Sequence, residues 1–139
     1  MKKAVILFLV LALLLCGCEE TGPTGIAKTK EFTDSTGRTV TLPANITKIA
    51  ISGPLSQIYI LPLAGDMLVG VSTAYADDAQ DYLPAYIYEK AEIGQLYGGK
   101  GEMDLEALLA ADPDVVIDIG EAKKTTAEDL TKLTEQTGI

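Results

Sequence analysis

Short apolar runs alternate with segments of helical spacing along most of the chain. Residues 46–52, 67–72 and 115–119 are rich in Ile, Val and Leu, which is typical of strands buried on both faces of a sheet. The segments 55–64, 105–111 and 126–137 instead repeat apolar residues at intervals of three and four and are predicted to be helices. Strands that alternate with helices predict an α/β, doubly wound and mainly parallel sheet.

A small β-hairpin is predicted in front of this sheet. Residues 31–33 and 39–42 alternate apolar and polar side chains on either side of the turn sequence 34–37, which ends in Gly37.

Local signals define the remaining segments. Asp104 is suited to cap the second helix, and Thr125 or Thr126 is expected to cap the third. Leu130 and Leu133 are expected on the inner face of that third helix. The polar, Tyr-rich stretch 77–90 is predicted to be helical after Pro84. The glycine-rich stretch 91–101 is predicted to be a loop.

The first residues have the features of an export signal. Lys2 and Lys3 precede an uncharged apolar run at 4–15. That run is about 18 Å long as a helix, which is too short to span a bilayer core well. It has the size of a signal-peptide core.

The apolar run ends in Leu15-Cys16-Gly17-Cys18, which resembles the lipobox of bacterial and archaeal lipoproteins. The small residue before Cys18 suits cleavage there, so Cys18 is the predicted lipid anchor. Cys16 is a competing acceptor, but it would place the bulky Leu15 at the cleavage position. An uncleaved membrane anchor is the alternative. The predicted partition is a lipoprotein signal peptide at 1–17, a flexible tether at 18–30 and a folded part at 31–139.

Charge and composition exclude several function classes. The net charge is −9, and removal of residues 1–17 leaves nine basic against twenty acidic residues, a net charge of −11. Such a chain is repelled by nucleic-acid phosphates, so no nucleic-acid partner is expected. The chain has no His, and no Cys follows Cys18. This composition excludes His-based catalysis and disulfides in the folded part. Asp77, Asp78 and Asp81 lack the spacing of a calcium loop, so neither a metal site nor a cofactor is predicted.

Five sequence pieces, taken in order, resemble the amino-terminal lobe of the iron–siderophore, haem and cobalamin binding proteins of ABC importers. The resemblance covers about residues 33–139. The pieces are 34–43, 46–50, 63–72, 93–94 with 103–109, and 112–117.

The resemblance implies one lobe of a two-lobed periplasmic-binding-protein fold, with the connecting helix and second lobe absent from this chain. It implies a monomeric binding component, not an enzyme, on the extracytoplasmic face of the membrane in a bacterium or archaeon. Its ligand would be a ferric siderophore, haem or a cobalamin-like chelate, and its partners an ABC permease with its ATPase. Two alternatives stay open: an interaction lipoprotein without transport function, and an exported α/β enzyme that would have to use carboxylates, Lys or Tyr.

The candidate ligand-binding residues follow the predicted strands, because a doubly wound sheet binds ligands at the carboxyl ends of its strands. The resemblance implies that these loops line the ligand-binding cleft and that a further loop at 95–97 supplies an aromatic wall. It also implies that Glu106, in the first turn of a helix, docks on the permease. The candidate ligand-binding residues are Ser52, Gly53, Pro54, Tyr75, Gln95, Leu96, Tyr97, Asp118, Ile119 and Gly120.

Overall fold

A computed structural model of the protein describes residues 28–97, 102–120 and 123–139. The predicted signal peptide, Cys18 and nearly all of the predicted tether lie outside these residues. The strands are β1 (Thr29–Thr33), β2 (Thr39–Pro43), β3 (Ile49–Ile51), β4 (Gly70–Val71), β5 (Ala91–Glu92) and β6 (Val115–Ile117). The α-helices are α1 (Pro54–Ala64), α2 (Leu105–Ala111) and α3 (Thr126–Thr137).

The predicted hairpin is present and starts at Thr29, two residues earlier than expected. β1 and β2 pair antiparallel, with Phe32 opposite Val40. The Asp34 carboxylate closes the turn by accepting the Thr36 N–H at 2.9 Å and the Arg38 Nε–H at 2.8 Å. Partial burial raises the pKa of Asp34, but the hydrogen bonds from Thr36 and Arg38 outweigh it and lower that pKa to about 2.

The sheet is parallel, as predicted, and its strands lie in the order β6–β3–β4–β5. β3 pairs with β6 and β4 pairs with β5, both in parallel register, and a parallel bridge between Ile49 and Leu68 joins the two pairs. The chain runs from β3 through β4 to β5 in one direction and then crosses back to β6 on the other side of β3. Because crossovers between parallel strands are right-handed, their opposite directions predict that α1 and α2 lie on opposite faces of the sheet. The point where the strand order reverses lies between β3 and β6.

Helix α1 forms where helical spacing predicted it, and most of the apolar residues that gave this spacing are exposed. Its exposed side carries Leu55, Ile58, Tyr59 and Leu63, between 47% and 80% exposed. Its buried side carries Ser56, Gln57 and Ile60. Burial of two polar residues is tolerated because both are hydrogen-bonded to distant parts of the chain.

One of these two residues, Gln57, attaches the carboxyl end of β4 to α1. Its Oε1 accepts the backbone N–H of Ser72 at 2.6 Å and is 3.1 Å from the hydroxyl of the same residue. The loop after β4 is thereby held against the start of α1.

Helices α2 and α3 agree with the prediction. The N–H of Ala107 donates to Asp104 Oδ1 at 2.9 Å, which confirms the N-cap. Leu108 is fully buried, and Leu130 and Leu133 lie on the buried side of α3. Thr125 makes no side-chain cap. The main core cluster joins the centre of the sheet to all three helices: Ile49, Ala50, Ile51, Ile60, Leu68, Ile93, Leu108 and Leu133.

The prediction for the stretch between β4 and α2 was wrong in two places. Instead of a helix after Pro84, the stretch 77–90 forms two 3₁₀ helices, at Asp77–Asp81 and Ala85–Ile87. Asp77 and Asp78 occupy a first turn whose preceding residue provides no side-chain cap. Inside the predicted loop 91–101, residues 91–92 form β5, because the edge of β4 is available for parallel pairing.

An aspartate ties β3 and β6 together at their amino ends. Asp114 Oδ2 accepts the N–H groups of Thr47 at 2.7 Å and Lys48 at 2.9 Å. These two backbone hydrogen bonds lower the pKa of Asp114. The first residues of both strands are therefore held in register by a side chain as well as by the sheet.

Candidate functional site

A cleft of about 210 Å³ lies at the carboxyl ends of β3 and β6, where the strand order reverses. This is the place where open α/β sheets bind ligands. Seven of the ten predicted ligand-binding residues line it together: Ser52, Gly53, Pro54, Tyr97, Asp118, Ile119 and Gly120. Four further residues complete the lining: Leu55, Ser56, Lys123 and Thr126.

Hydrogen bonds connect the two strand ends across the cleft floor. The hydroxyl of Ser52 donates to Asp118 Oδ1 in a short contact. Ser52 Oγ lies 3.0 Å from Ser56 Oγ, which also accepts the N–H of Ile119 at 2.9 Å. Both serines are buried, whereas Asp118 is half-buried and faces the cleft. The floor is thus a preformed polar network with a carboxylate at its open end.

One wall of the cleft is aromatic. The hydroxyl of Tyr97 donates to the backbone oxygen of Thr126 at 3.2 Å, which fixes the ring at the start of α3. The ammonium of Lys123 lies 5.0 Å from the centre of this ring, within cation–π range. Burial, and then the negative charges of Asp118 and Asp129, raise the pKa of Tyr97. The phenol therefore stays neutral and offers a flat apolar face to the cleft.

Gln95 and Leu96 lie beside the cleft without lining it. The N–H of Leu96 donates to the backbone oxygen of Ser52 at 2.7 Å. A Cβ placed on Gly53 would lie 3.5 Å from Gln95 Cβ. Both residues line a neighbouring cavity on the side of Met103 instead. These contacts hold the loop after β3 in place, so both residues support the cleft without facing it.

Tyr75 does not reach the cleft, contrary to its predicted place in the lining. Its ring packs against that of Tyr88, with 6.4 Å between centroids and 59° between ring planes. Tyr88 lies just after the 3₁₀ helix Ala85–Ile87, where an α-helix after Pro84 was predicted. Tyr75 therefore packs against this segment and does not line the cleft.

Glu106 is exposed in the first turn of α2. Its position favours a carboxylate by about 0.3–1 kcal/mol through the helix dipole. It does not line the cleft.

A larger cavity of about 610 Å³ lies between the hairpin and β6. Most of its lining is aliphatic or aromatic, including Phe32, Val40, Leu42 and Val116, and it shares Asp118 with the cleft. The cleft is the better candidate site because its polar groups converge and are positioned by hydrogen bonds.

Sequence reasoning missed Ser56 and Lys123. The Ser52–Ser56 spacing of four residues spans the start of α1 and could have indicated two hydroxyls in one place. Lys123 had no comparable signal, because its position depends on the path between β6 and α3.

In residues 28–97, 102–120 and 123–139, no helix is long and apolar enough to cross a membrane. Nor do three or more His, Cys, Asp or Glu side chains in these ranges come together as a metal site.

Comparison with known proteins supports the architecture. No protein-family model matches the chain, and no curated protein is detectably similar in sequence. The chain does match the solved structure of an ABC transporter solute binding protein from Sulfurospirillum deleyianum DSM 6946, with a TM-score of 0.63 and 28% sequence identity. The fold is similar to that of a solute-binding protein.

The match covers 75% of this chain and 34% of that protein, so the chain spans about a third of the length of the protein it matches. This extent is consistent with one lobe of the solute-binding-protein fold. A solute-binding protein of a transporter is not an enzyme, in agreement with the predicted binding role. The match supports the solute-binding class.

Proposed function

We propose that this chain is part of a substrate-binding lipoprotein of an ABC importer, which captures a metal chelate outside the cell membrane and delivers it to a permease. The single observation that carries the proposal is the cleft at the switch point between β3 and β6, in a fold similar to that of a transporter solute binding protein. The cleft's function would be recognition, with Asp118 and Tyr97 as the principal contacts. The ligand would be a ferric siderophore, haem or a cobalamin-like compound, as the ordered sequence pieces suggest.

The dimensions of the cleft agree with binding of part of a large ligand. Its volume of about 210 Å³ is below the roughly 300–1,000 Å³ of pockets that enclose whole small molecules. A flat aromatic wall and a half-buried carboxylate suit the edge of a ligand whose remainder contacts other parts of the assembly.

Ligand binding is tested by titrating the purified protein, in its full encoded length, with four chelates: cobalamin, haem, a neutral ferric trihydroxamate and a ferric tricatecholate. We expect at least one to bind with a Kd of about 1 µM or tighter. A Cβ added at Gly120, which also lines the cleft, would meet only a leucine methyl at 3.4 Å. The φ of +156° at this position nevertheless favours glycine, so Tyr97→Ala is the better cleft variant. It should weaken binding about tenfold, while Tyr82→Ala, at an 85% exposed tyrosine that does not line the cleft, should leave the Kd unchanged. Absence of binding to all four chelates would contradict the proposed ligand class.

Membrane attachment and permease docking are tested together by uptake in cells that carry the importer. We expect Cys18→Ser to release the protein from the membrane fraction, because the acidic chain has no electrostatic attraction to anionic lipids.

Glu106→Gln should leave the protein membrane-bound and its ligand Kd unchanged but lower uptake several-fold, through loss of an exposed charge at the permease contact. Glu135→Gln, which removes an exposed charge near the carboxyl end of α3, is the matched control. Membrane retention of the Cys18 variant, or full uptake by the Glu106 variant, would contradict the corresponding assignment.

A further inference from the structure

The buried hydroxyls of the cleft form a chain whose direction can be assigned. Ser52 donates to Asp118 Oδ1, and a hydroxyl has a single hydrogen to donate. Ser56 is therefore the donor in the 3.0 Å contact between the two hydroxyls, while its own oxygen accepts the N–H of Ile119. Since Ser52 is 3% exposed and Ser56 1% exposed, water hardly competes for these bonds. The chain ends on one oxygen of Asp118 and orients that side chain.

The second oxygen of Asp118 has no such engagement. Among the residues that the structure describes, no group donates a hydrogen bond to Asp118 Oδ2, and both ion pairs lie elsewhere. The cleft's own donors are directed away from it. The ammonium of Lys123 lies over the ring of Tyr97, and the hydroxyl of Tyr97 donates to Thr126. The cleft therefore presents a positioned acceptor that the side chains of the described residues leave unpaired.

We infer that the cleft recognises a hydrogen-bond donor of the ligand, an amide N–H or an ammonium group, with Asp118 Oδ2 as the acceptor, and discriminates against anionic chelates. This inference rests on the proposed function and narrows its ligand class. Ser52 is the positioning residue, because it holds Asp118 through Oδ1, and Tyr97 provides the flat surface beside the donor.

Electrostatics supports the discrimination. A ligand carboxylate or catecholate at this place would face the charge of Asp118 with no donor from residues 28–97, 102–120 or 123–139 between them, which is unfavourable in a partly desolvated cleft. The negative charge of Asp118 already contributes to the raised pKa of the neighbouring Tyr97. A donor-bearing group instead forms a charge-assisted hydrogen bond, the stronger kind.

The test compares two neutral or cationic, donor-bearing chelates with two anionic ones on the purified protein in its full encoded length. Cobalamin carries peripheral amides and a cyclic-peptide ferric trihydroxamate carries backbone N–H groups, whereas haem carries two carboxylates and a ferric tricatecholate is a trianion. The unaltered protein should bind a donor-bearing chelate most tightly. Asp118→Asn should weaken that binding about tenfold or more, because the amide keeps its oxygen on Ser52 and turns an NH₂ group towards the ligand donor. Binding of the anionic chelates should not weaken.

Two further variants separate this effect from damage to the fold or from a general change of charge. Ser52→Ala leaves the charge of Asp118 in place but removes the hydrogen bond that orients it. This variant should weaken binding of the donor-bearing chelate severalfold. Glu128→Gln removes one exposed negative charge that does not line the cleft and should change no Kd. Circular dichroism of each variant checks folding, and if Asp118→Asn does not fold, Ser52→Ala decides.

Tighter binding of an anionic chelate than of both donor-bearing ones would overturn this inference and leave the proposed function standing. Unchanged affinity of the donor-bearing chelate in both cleft variants would do the same. No binding of any of the four chelates would overturn the proposed function and this inference with it.

Discussion

Replacement of Leu108 by Ala is expected to lower the free energy of unfolding by roughly 2–5 kcal/mol. Leu108 is fully buried on α2 and belongs to the cluster that joins the sheet to the helices. Truncation removes its contacts and leaves a cavity that close-packed neighbours fill only in part. A loss of this size is a large fraction of the 5–15 kcal/mol that stabilises a typical domain.

The next residue provides a matched control. Leu109 lies on the same helix and is 48% exposed, so Leu109→Ala removes the same atoms from a partly solvated site. The change in helix propensity is the same for both variants and cancels in the comparison. We expect Leu109→Ala to cost less than about 1 kcal/mol. Urea unfolding followed by circular dichroism measures both midpoints, and equal shifts would contradict the placement of Leu108 in the core.

Replacement of Gly94 by Ala is expected to cost roughly 2–4 kcal/mol. Gly94 has φ +74°, a conformation that disfavours a side chain, and an added Cβ would overlap the backbone oxygen of Glu102 and lie 3.2 Å from Met103 Cα. Because both obstacles are backbone atoms, they cannot rotate away. The strain falls two residues before Leu96, whose N–H holds the loop that carries Ser52.

Gly37→Ala separates conformational strain from overlap. Gly37 has φ +85°, but an added Cβ there would have nothing within 4 Å. This variant should therefore cost only about 1 kcal/mol, the intrinsic penalty of a left-handed residue. The difference between the two variants in urea unfolding measures the overlap. If Gly94→Ala lowered the free energy of unfolding no more than Gly37→Ala does, that result would contradict the close approach of Gly94 to the backbone of Glu102.

Where the deciding contacts are local, the sequence was sufficient. Helix α2 was predicted with its observed limits, because Asp104 caps one end and Pro113 excludes continuation at the other. The hairpin was predicted because its turn chemistry lies within the residues 34–38.

Where the deciding partner lies far along the chain, sequence reasoning failed. The helical spacing of Leu55, Ile58 and Tyr59 predicted a helix but not its buried face, and the structure exposes these residues and buries Ser56 and Gln57. The hydrogen bond that stabilises buried Ser56 comes from a residue 63 positions later. No local pattern contains that information.

The same division between local and distant contacts applies to the candidate site. Strand ends were identifiable from their apolar runs, and the switch-point rule then brought the 52–54 and 118–120 loops together. Tyr75 was misplaced because its ring partner, Tyr88, follows a 3₁₀ segment that the sequence did not distinguish from a helix.

The strands β3 and β6 are joined by an aspartate at each end, Asp114 at the start and Asp118 at the finish. These hydrogen bonds at both ends hold the two strands and their loops together as one preorganised surface. A ligand then meets a surface that is already set and spends little entropy on ordering it. Under the proposed function, differences in affinity among ligands should accordingly reflect how well each one matches this preformed surface.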